Sequence, residues 1–209
     1  MSSTIFLFIA TGGNNAGPRE APFFVMMLFF NDAKGRWEFN GCGGTLASNR
    51  HILTAGHCTV GYGDVRSVRS KHAVYVGAYQ PFWGNPGVRF HFSRIKAYTI
   101  HHNFDDGPND SDVAIVTMDV PVDLDLFQPI GLAPPSLLVE NGDMVSVYGF
   151  GRQSFYDEEQ VMTLQKVRLP FIDQETCEDY YGSRVLVSFD DTRSPRLFKN
   201  MHSANSLSI

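Results

Sequence analysis

A histidine and two cysteines form the most specific chemical pattern in this sequence. Cys42 lies in a glycine-rich string, Gly41–Leu46, and His57 and Cys58 end a second string, Leu53–Cys58. The cysteines are 16 positions apart around a strand–turn–strand pattern, so their side chains could face each other and pin the loop that carries His57. An imidazole held in this way can act as a general base, although a lone histidine is more often an ordinary surface or core residue.

A carboxylate provides the second half of this pattern. Asp112 directly precedes the apolar segment Val113–Met118, which is predicted to be a strand. A carboxylate buried at the entry to a strand could accept the Nδ1 proton of His57 and fix the imidazole tautomer. Taken alone, an aspartate at this place usually belongs to a turn. The two residues together predict a general base with its orienting carboxylate.

The elements that must position these residues are short strands. The chain has 209 residues, of which 43% are hydrophobic and 19% charged, so a packed core is expected and wholesale disorder is not. Its 17 Phe, 19 Gly and 11 Pro make it aromatic and rich in turns, which favours an all-β fold. The predicted strands are Phe23–Phe30, Trp37–Asn40, His51–Leu53, Ala73–Val76, Arg89–Ile100, Val113–Met118, Met144–Tyr148 and Gln165–Leu169. Asn31–Gly35 reads as a hairpin turn, and the proline-rich segment Pro121–Pro135 as a linker between two halves.

Charge and hydropathy exclude two classes of partner. The net charge of -5 argues against a nucleic-acid-binding protein, whose surface is normally basic. No apolar run reaches the ~18 residues that a membrane-spanning helix needs. A small basic run, Arg66, Arg69 and Lys71, is interpreted as a solvated face.

A metal site is not expected either. His101 and His102 with Asp105 and Asp106 bring four metal-ligating residue types close together in sequence. Their spacing does not match that of a zinc site, and they are interpreted as part of a surface loop. No motif in the sequence predicts a cofactor.

Several motifs in the same order resemble the trypsin-like, or chymotrypsin-like, family of serine peptidases. The resemblance covers about residues 10–181, and the matching strings are Cys42–Leu46, Leu53–Cys58, Asp112–Val116, Gly149–Gly151 and Leu164–Val167. It implies an all-β fold of two antiparallel β-barrels of the chymotrypsin type, packed side by side, with the catalytic His and Asp in the first barrel and the nucleophilic serine in the second.

The resemblance also implies roles for individual residues. His57 is the expected general base, Asp112 its orienting carboxylate, and Cys42–Cys58 the disulfide beside the histidine, in a string where Gly56 replaces the family's usual alanine. Proteins or peptides are the expected substrates, and secretion is the expected fate. The apolar N-terminal stretch Ile5–Ala10 lacks a preceding Lys or Arg, so the secretion signal is interpreted as incomplete.

The family's nucleophile motif, Gly-Asp-Ser-Gly-Gly, does not occur in the sequence. Ser203 and Ser206 lie near the expected place but lack its glycines, and Ser183 comes too early. Cys177 is interpreted as a family cysteine without its partner rather than as a substitute nucleophile. The chain is therefore expected to be catalytically inactive.

These observations predict one peptidase-like domain over residues 10–209. It is divided into a first barrel (10–120), a linker (121–135), an incomplete second barrel (136–182) and a divergent tail (183–209). Three functional interpretations remain open at this point. The chain is a truncated or mis-spliced serine endopeptidase, a non-catalytic homologue that acts as a binding or regulatory module, or a peptidase with an unorthodox nucleophile.

Overall fold

A computed structural model describes residues 13–80, 90–105, 111–134, 136–137, 139–150, 163–173, 176 and 179. Within these ranges the chain forms nine strands and one α-helix. In chain order they are β1 (Asn14–Asn15), β2 (Phe24–Asn31), β3 (Arg36–Leu46), β4 (His51–Thr54), α1 (Val65–Lys71), β5 (His72–Val76), β6 (His91–Ile100), β7 (Ala114–Met118), β8 (Met144–Gly149) and β9 (Gln165–Pro170).

Six of the strands close into an antiparallel barrel in the order β2-β3-β4-β7-β6-β5. Its interior is a cluster of buried apolar side chains that includes residues from all six strands. Val122 and Phe127, from the segment that follows β7, pack into the same cluster. The barrel thus buries one face of every strand on itself, which is how a sheet removes its exposed edges.

Strand β2 is buried on both faces, and this explains its continuous apolar sequence. Val25 and Met27 point into the barrel core, whereas Phe24, Met26 and Leu28 belong to a second cluster on the opposite face. Successive side chains of a strand point to opposite faces, so burial on both sides requires apolar residues at every position. The second cluster joins the barrel to the rest of the chain through Phe150 and Leu164, among others.

A glycine sets the close approach of β3 and β4. A Cβ atom at Gly44 would lie 2.7 Å from Ile52 Cγ2 and 3.1 Å from the carbonyl oxygen of Leu53. Both distances are too short for a side chain without movement of the neighbouring strand. Gly44, the third glycine of the Gly41–Leu46 string, is therefore required for barrel packing.

The second sheet has three strands within the described residues, in the order β1-β9-β8. Its first strand comes from the start of the chain, where Asn15 pairs with Gln165. The fully buried Gln165 amide donates to Asn15 Oδ1 at 2.8 Å and to the Thr163 carbonyl at 2.7 Å. The carboxylate of Glu20 accepts from Tyr148 Oη and Lys166 Nζ. The segment before β2 is thereby attached to the second sheet.

The predicted all-β fold of the chymotrypsin type is confirmed, and each predicted strand outside the tail overlaps an observed one. Two elements were not predicted, namely the two-residue strand β1 and the helix α1. Asp64 caps α1 by accepting a 2.8 Å hydrogen bond from the Ser67 amide. No described helix has the length and apolar character needed to cross a bilayer. The domain boundaries stay a prediction.

Candidate active site

A tight turn after β4 carries His57. The Cys58 amide donates to the Ala55 carbonyl at 3.3 Å, and the amide and hydroxyl of Thr59 donate to the Gly56 carbonyl at 2.9 and 2.8 Å. Thr59 is buried, and its hydroxyl bond closes the turn on itself. These bonds fix the backbone on both sides of the histidine.

The disulfide beside this turn confirms the expected pairing. Cys42 of β3 and Cys58 are joined with their Cα atoms 6.0 Å apart. Both are buried, at 8% and 6% exposure, and belong to the barrel core. The bridge anchors the C-terminal side of the turn to a neighbouring strand.

Asp112 reaches the same place because of the strand register. Strands β4 and β7 are hydrogen-bonded neighbours, with Thr54 opposite Ala114. Since β4 ends where β7 begins, the residues that follow Thr54 and those that precede Ala114 emerge side by side. Ser111, with a positive φ of 53°, turns the chain just before Asp112.

His57 and Asp112 make two contacts with each other. Nδ1 of the imidazole lies 2.7 Å from Asp112 Oδ2, and the His57 amide donates to Oδ1 at 2.8 Å. The Asp112 side chain is 9% exposed and that of His57 is 27% exposed. A largely desolvated carboxylate thus holds a partly accessible ring in one orientation.

Phe104 and Gly56 complete the packing around this carboxylate. A Cβ atom at Gly56 would lie 3.0 Å from Phe104 Cδ2 and 3.1 Å from Asp112 Oδ1. The aromatic ring therefore occupies space that an alanine methyl group would need. No motif in the sequence pointed to Phe104; the one signal was that Gly56 stands where the family usually has alanine.

The geometry defines which imidazole nitrogen is available for chemistry. An ionised carboxylate can only accept hydrogen bonds, so the proton of a neutral His57 ring is assigned to Nδ1. The Nε2 lone pair is then the one that can take up a proton, which is what general-base catalysis requires. Nε2 lies 3.4 Å from Cys58 Sγ, a disulfide sulfur with no proton to offer.

The disulfide engages the metal-ligating sulfurs that lie beside His57. Among the described residues, one group of three metal-ligating side chains comes within 4.8 Å of one another, and it consists of Cys42, His57 and Cys58. Both sulfurs are bonded to each other, so neither can serve as a thiolate ligand. The rings of His101 and His102 lie 4.6 Å apart, but Asp106 of that predicted surface loop lies outside the described residues.

The structure brings together His57 and Asp112 through a hydrogen bond, and Cys42 and Cys58 through a disulfide, while the catalytic assignment of the pair stays a prediction. The other residues that were considered as nucleophiles all lie outside the described ranges: Cys177, Ser183, Ser203 and Ser206.

Comparison with known proteins identifies relatives of both sequence and fold. Two curated relatives from Drosophila melanogaster are each 27% identical: Serine protease filzig over 160 residues and Serine protease 7 over 174 residues. These matches cover 74% and 77% of this chain but only 9% and 43% of the relatives, so the chain spans less than half of either protein. The solved structure of GrC superposes with a TM-score of 0.68 at 23% identity, covering 83% of this chain and 70% of that one.

The structural likeness, at this low identity, supports the fold. Family membership comes from the sequence, because the sequence model of the trypsin family matches residues 10–194, most of the chain. That match includes both strings around the disulfide and the Asp112 segment. The chain therefore belongs to the trypsin family of serine peptidases.

Proposed function

We propose that this chain is a secreted serine peptidase homologue that keeps the histidine–aspartate half of a catalytic triad but does not cleave peptide bonds by itself. One observation carries the first part, namely the 2.7 Å contact between His57 Nδ1 and Asp112 Oδ2. In the trypsin family such a pair activates a serine hydroxyl for attack on a peptide carbonyl.

The roles of the two residues follow from their chemistry. In an active peptidase of this family, the nitrogen that corresponds to His57 Nε2 takes the proton of the attacking hydroxyl and later returns it to the leaving amine. Asp112 stabilises the imidazolium that forms in between, and its low exposure of 9% strengthens that interaction because little water competes. The second contact, from the His57 amide to Oδ1, keeps the carboxylate in line with the ring.

The proposed inactivity rests on the sequence. No Gly-Asp-Ser-Gly-Gly string occurs in the 209 residues. Its glycines matter as much as its serine, since they allow the sharp turn whose backbone N–H groups stabilise the oxyanion. A triad that loses one member but keeps its oxyanion hole retains a residual ~10³–10⁴-fold acceleration over water. Without either part, even this residual activity is not expected.

A serine-directed probe tests this directly. The oxidised, folded full chain is incubated with a fluorophosphonate probe and, separately, with a mixture of fluorogenic peptides, with trypsin as the positive control. We expect neither labelling nor hydrolysis. Stoichiometric labelling that disappears in the His57→Ala variant would overturn the proposed inactivity and would reveal an unorthodox nucleophile. Labelling that persists in that variant would reflect nonspecific reaction and would leave the proposal standing.

A second candidate function is that of an active endopeptidase whose nucleophile is encoded further along the gene. The intact geometry at His57 and Asp112 favours it, because a chain without catalytic use has no need of this pair. Sequencing the transcript and the genomic region beyond the codon for Gly182 distinguishes the two. An in-frame Gly-Asp-Ser-Gly-Gly sequence would establish the active form, and its absence would leave the binding or regulatory homologue.

The proposed secretion is supported by the disulfide between Cys42 and Cys58. Such bonds form and persist in oxidising compartments and are rare in the cytosol. Expression in a eukaryotic cell, with the protein followed in medium and cell lysate, provides the test. Recovery of the protein only in the cytosol, with both cysteines open to alkylation, would contradict the proposal.

A further inference from the structure

Three arginines that are separated in sequence come together on one face of the barrel. Arg66 and Arg69 lie one turn apart on α1, and Arg94 lies on the adjacent strand β6. With Ser70 they line an open depression of about 500 Å³, and all four residues are exposed. This group is called the arginine cluster below.

Within the described part of the chain, no carboxylate pairs with the arginine cluster. Among the residues that the structure describes, none of its three arginines forms an ion pair, whereas Lys34, Arg36, Lys71 and Lys166 each pair with a carboxylate. The acidic residues next to α1 are otherwise engaged. The Asp64 side chain caps the helix by accepting from the Ser67 amide, and Asp32 pairs with Lys71. The depression therefore carries concentrated positive charge on a chain whose net charge is -5.

Arg94 is held in place before any ligand arrives. Its Nη1 donates to the Arg69 carbonyl at 3.2 Å, and its guanidinium lies 5.8 Å from the centre of the Trp37 ring. The first contact also satisfies a carbonyl near the C-terminal end of α1 that the helix leaves free. A side chain ordered in this way loses less conformational entropy when it binds a ligand.

We infer that the arginine cluster binds a sulfated polysaccharide. A guanidinium is planar and weakly hydrated, and it donates two parallel hydrogen bonds to an oxyanion such as a sulfate group. Three guanidinium groups around one depression can bind a partner that carries several anionic groups within a short length. Ser70 Oγ, which donates to the Arg66 carbonyl, can still accept a hydrogen bond from a sugar hydroxyl.

The charge distribution and the compartment favour a sulfated polysaccharide over a nucleic acid as the ligand of the cluster. Sulfated polysaccharides belong to the oxidising, extracellular environment that the Cys42–Cys58 disulfide supports, and this step rests on the secretion proposed above. A long nucleic acid would extend beyond the cluster along a chain whose net charge is -5. A short sulfated segment meets only the cluster, and salt screens its interactions with charges more than ~8 Å away. The inference does not depend on whether the chain has catalytic activity.

Binding of a fluorescent heparin hexasaccharide to the oxidised full chain, followed by anisotropy at two salt concentrations, tests the inference. We expect saturable binding that weakens as salt rises. The triple variant R66Q/R69Q/R94Q should bind at least about tenfold more weakly, because three exposed charge contacts of modest strength are removed. The matched control R19Q/R36Q/R168Q removes the same charge elsewhere and should change the affinity less than about twofold.

Two further variants guard against indirect effects. The variant R66Q/R69Q keeps Arg94 and its contact with Trp37, so its loss of affinity should lie between those of the control and the triple variant. Thermal unfolding verifies that each variant is folded. R66K/R69K/R94K keeps the charge but removes the planar fork, so weaker binding than in the native chain would support guanidinium recognition. Three outcomes would overturn the inference. The triple variant and its control could lose the same affinity, the native chain could fail to bind the hexasaccharide, or a desulfated hexasaccharide could bind as tightly as the sulfated one. Tighter binding of a short DNA duplex through the same arginines would assign the surface to nucleic acid instead.

Discussion

The closed barrel and the three-stranded sheet bury their strands in different ways. In the barrel, Val25, Val74, Ile95 and Val116 are completely inaccessible, because each strand has a hydrogen-bonded neighbour on both sides and a shared interior. In the sheet of β1, β9 and β8 the apolar residue Met144 is 50% exposed. An open sheet can bury side chains only against another unit, and here the barrel cluster around Phe24 provides that surface.

The candidate catalytic pair is built from the closed barrel alone. His57 and Asp112 both leave the ends of barrel strands, β4 and β7, which are adjacent in the closed sheet. The disulfide that fixes the His57 turn also joins parts of the barrel alone. The stability of the pair should therefore follow the stability of the barrel and be nearly independent of the sheet.

The largest expected difference comes from matched truncations of the two cores. Ile52→Ala removes a fully buried barrel side chain and should destabilise the chain by about 2–5 kcal/mol. Met144→Ala truncates a half-exposed side chain of β8 and should cost under about 0.5 kcal/mol. Urea unfolding followed by fluorescence measures both. Equal losses at the two positions would show that the barrel and the sheet share one interdependent core.

Removal of the disulfide tests how the barrel holds the His57 turn. The double variant C42S/C58S should lose ~3 kcal/mol, because the unfolded chain regains the freedom of the loop that the bond closed. The single variant Cys177→Ser serves as the control for loss of a cysteine elsewhere. If the double variant unfolds at the same urea concentration as the native chain, the disulfide does not stabilise the barrel.

A pair of glycine substitutions compares strand packing in the two regions. Gly44→Ala places a methyl group 2.7 Å from Ile52 Cγ2 and should destabilise the barrel by about 1–3 kcal/mol. Gly149→Ala, at the end of β8, meets no atom within 4 Å and should be neutral or stabilise by up to about 1 kcal/mol. Thermal unfolding of both variants is the measurement. A destabilised Gly149→Ala protein would mean that β8 is as tightly packed as β3.

The smallest expected effect is the acid sensitivity of the barrel at His72. Its ring stacks on Tyr62 at 3.8 Å, and its buried Nδ1 has no hydrogen-bond partner among the described residues. Burial lowers the pKa of His72 below its ordinary value of 6.5. Folding then favours the neutral ring, so its contribution to stability is present above pH 6.5 and is lost as the pH falls through the lower folded pKa.

The variant His72→Phe keeps a ring for Tyr62 to stack on but cannot take up a proton. Its free energy of unfolding should fall less steeply below pH 6.5 than that of the native chain, as measured by urea titrations at several pH values. His102→Phe, at an exposed position, is the control and should keep the native slope. If the free energies of unfolding of the native chain and of His72→Phe fall with the same slope below pH 6.5, His72 is not the source of the acid sensitivity.

Much of the fold could be predicted because its signals are local. Short apolar runs between turn residues identified β2 to β9, and the strings around Cys42, His57 and Asp112 identified the candidate site. Strand β1 was missed because two asparagines have no apolar alternation, and they become a strand only through pairing with β9. Helix α1 was missed because a seven-residue segment is too short to show a helical period of apolar residues.

The sequence by itself determined the strand pattern, the family and the residues of the candidate pair, since each depends on residue types at short spacings. The tertiary structure decided which distant segments meet: Thr54 opposite Ala114, the start of the chain beside β9, and Arg94 next to α1. The alternation of apolar and polar residues along a strand indicates which face is buried, but it does not indicate which strand lies beside it. That choice is made by barrel closure, when all the interior side chains have to fill one shared volume.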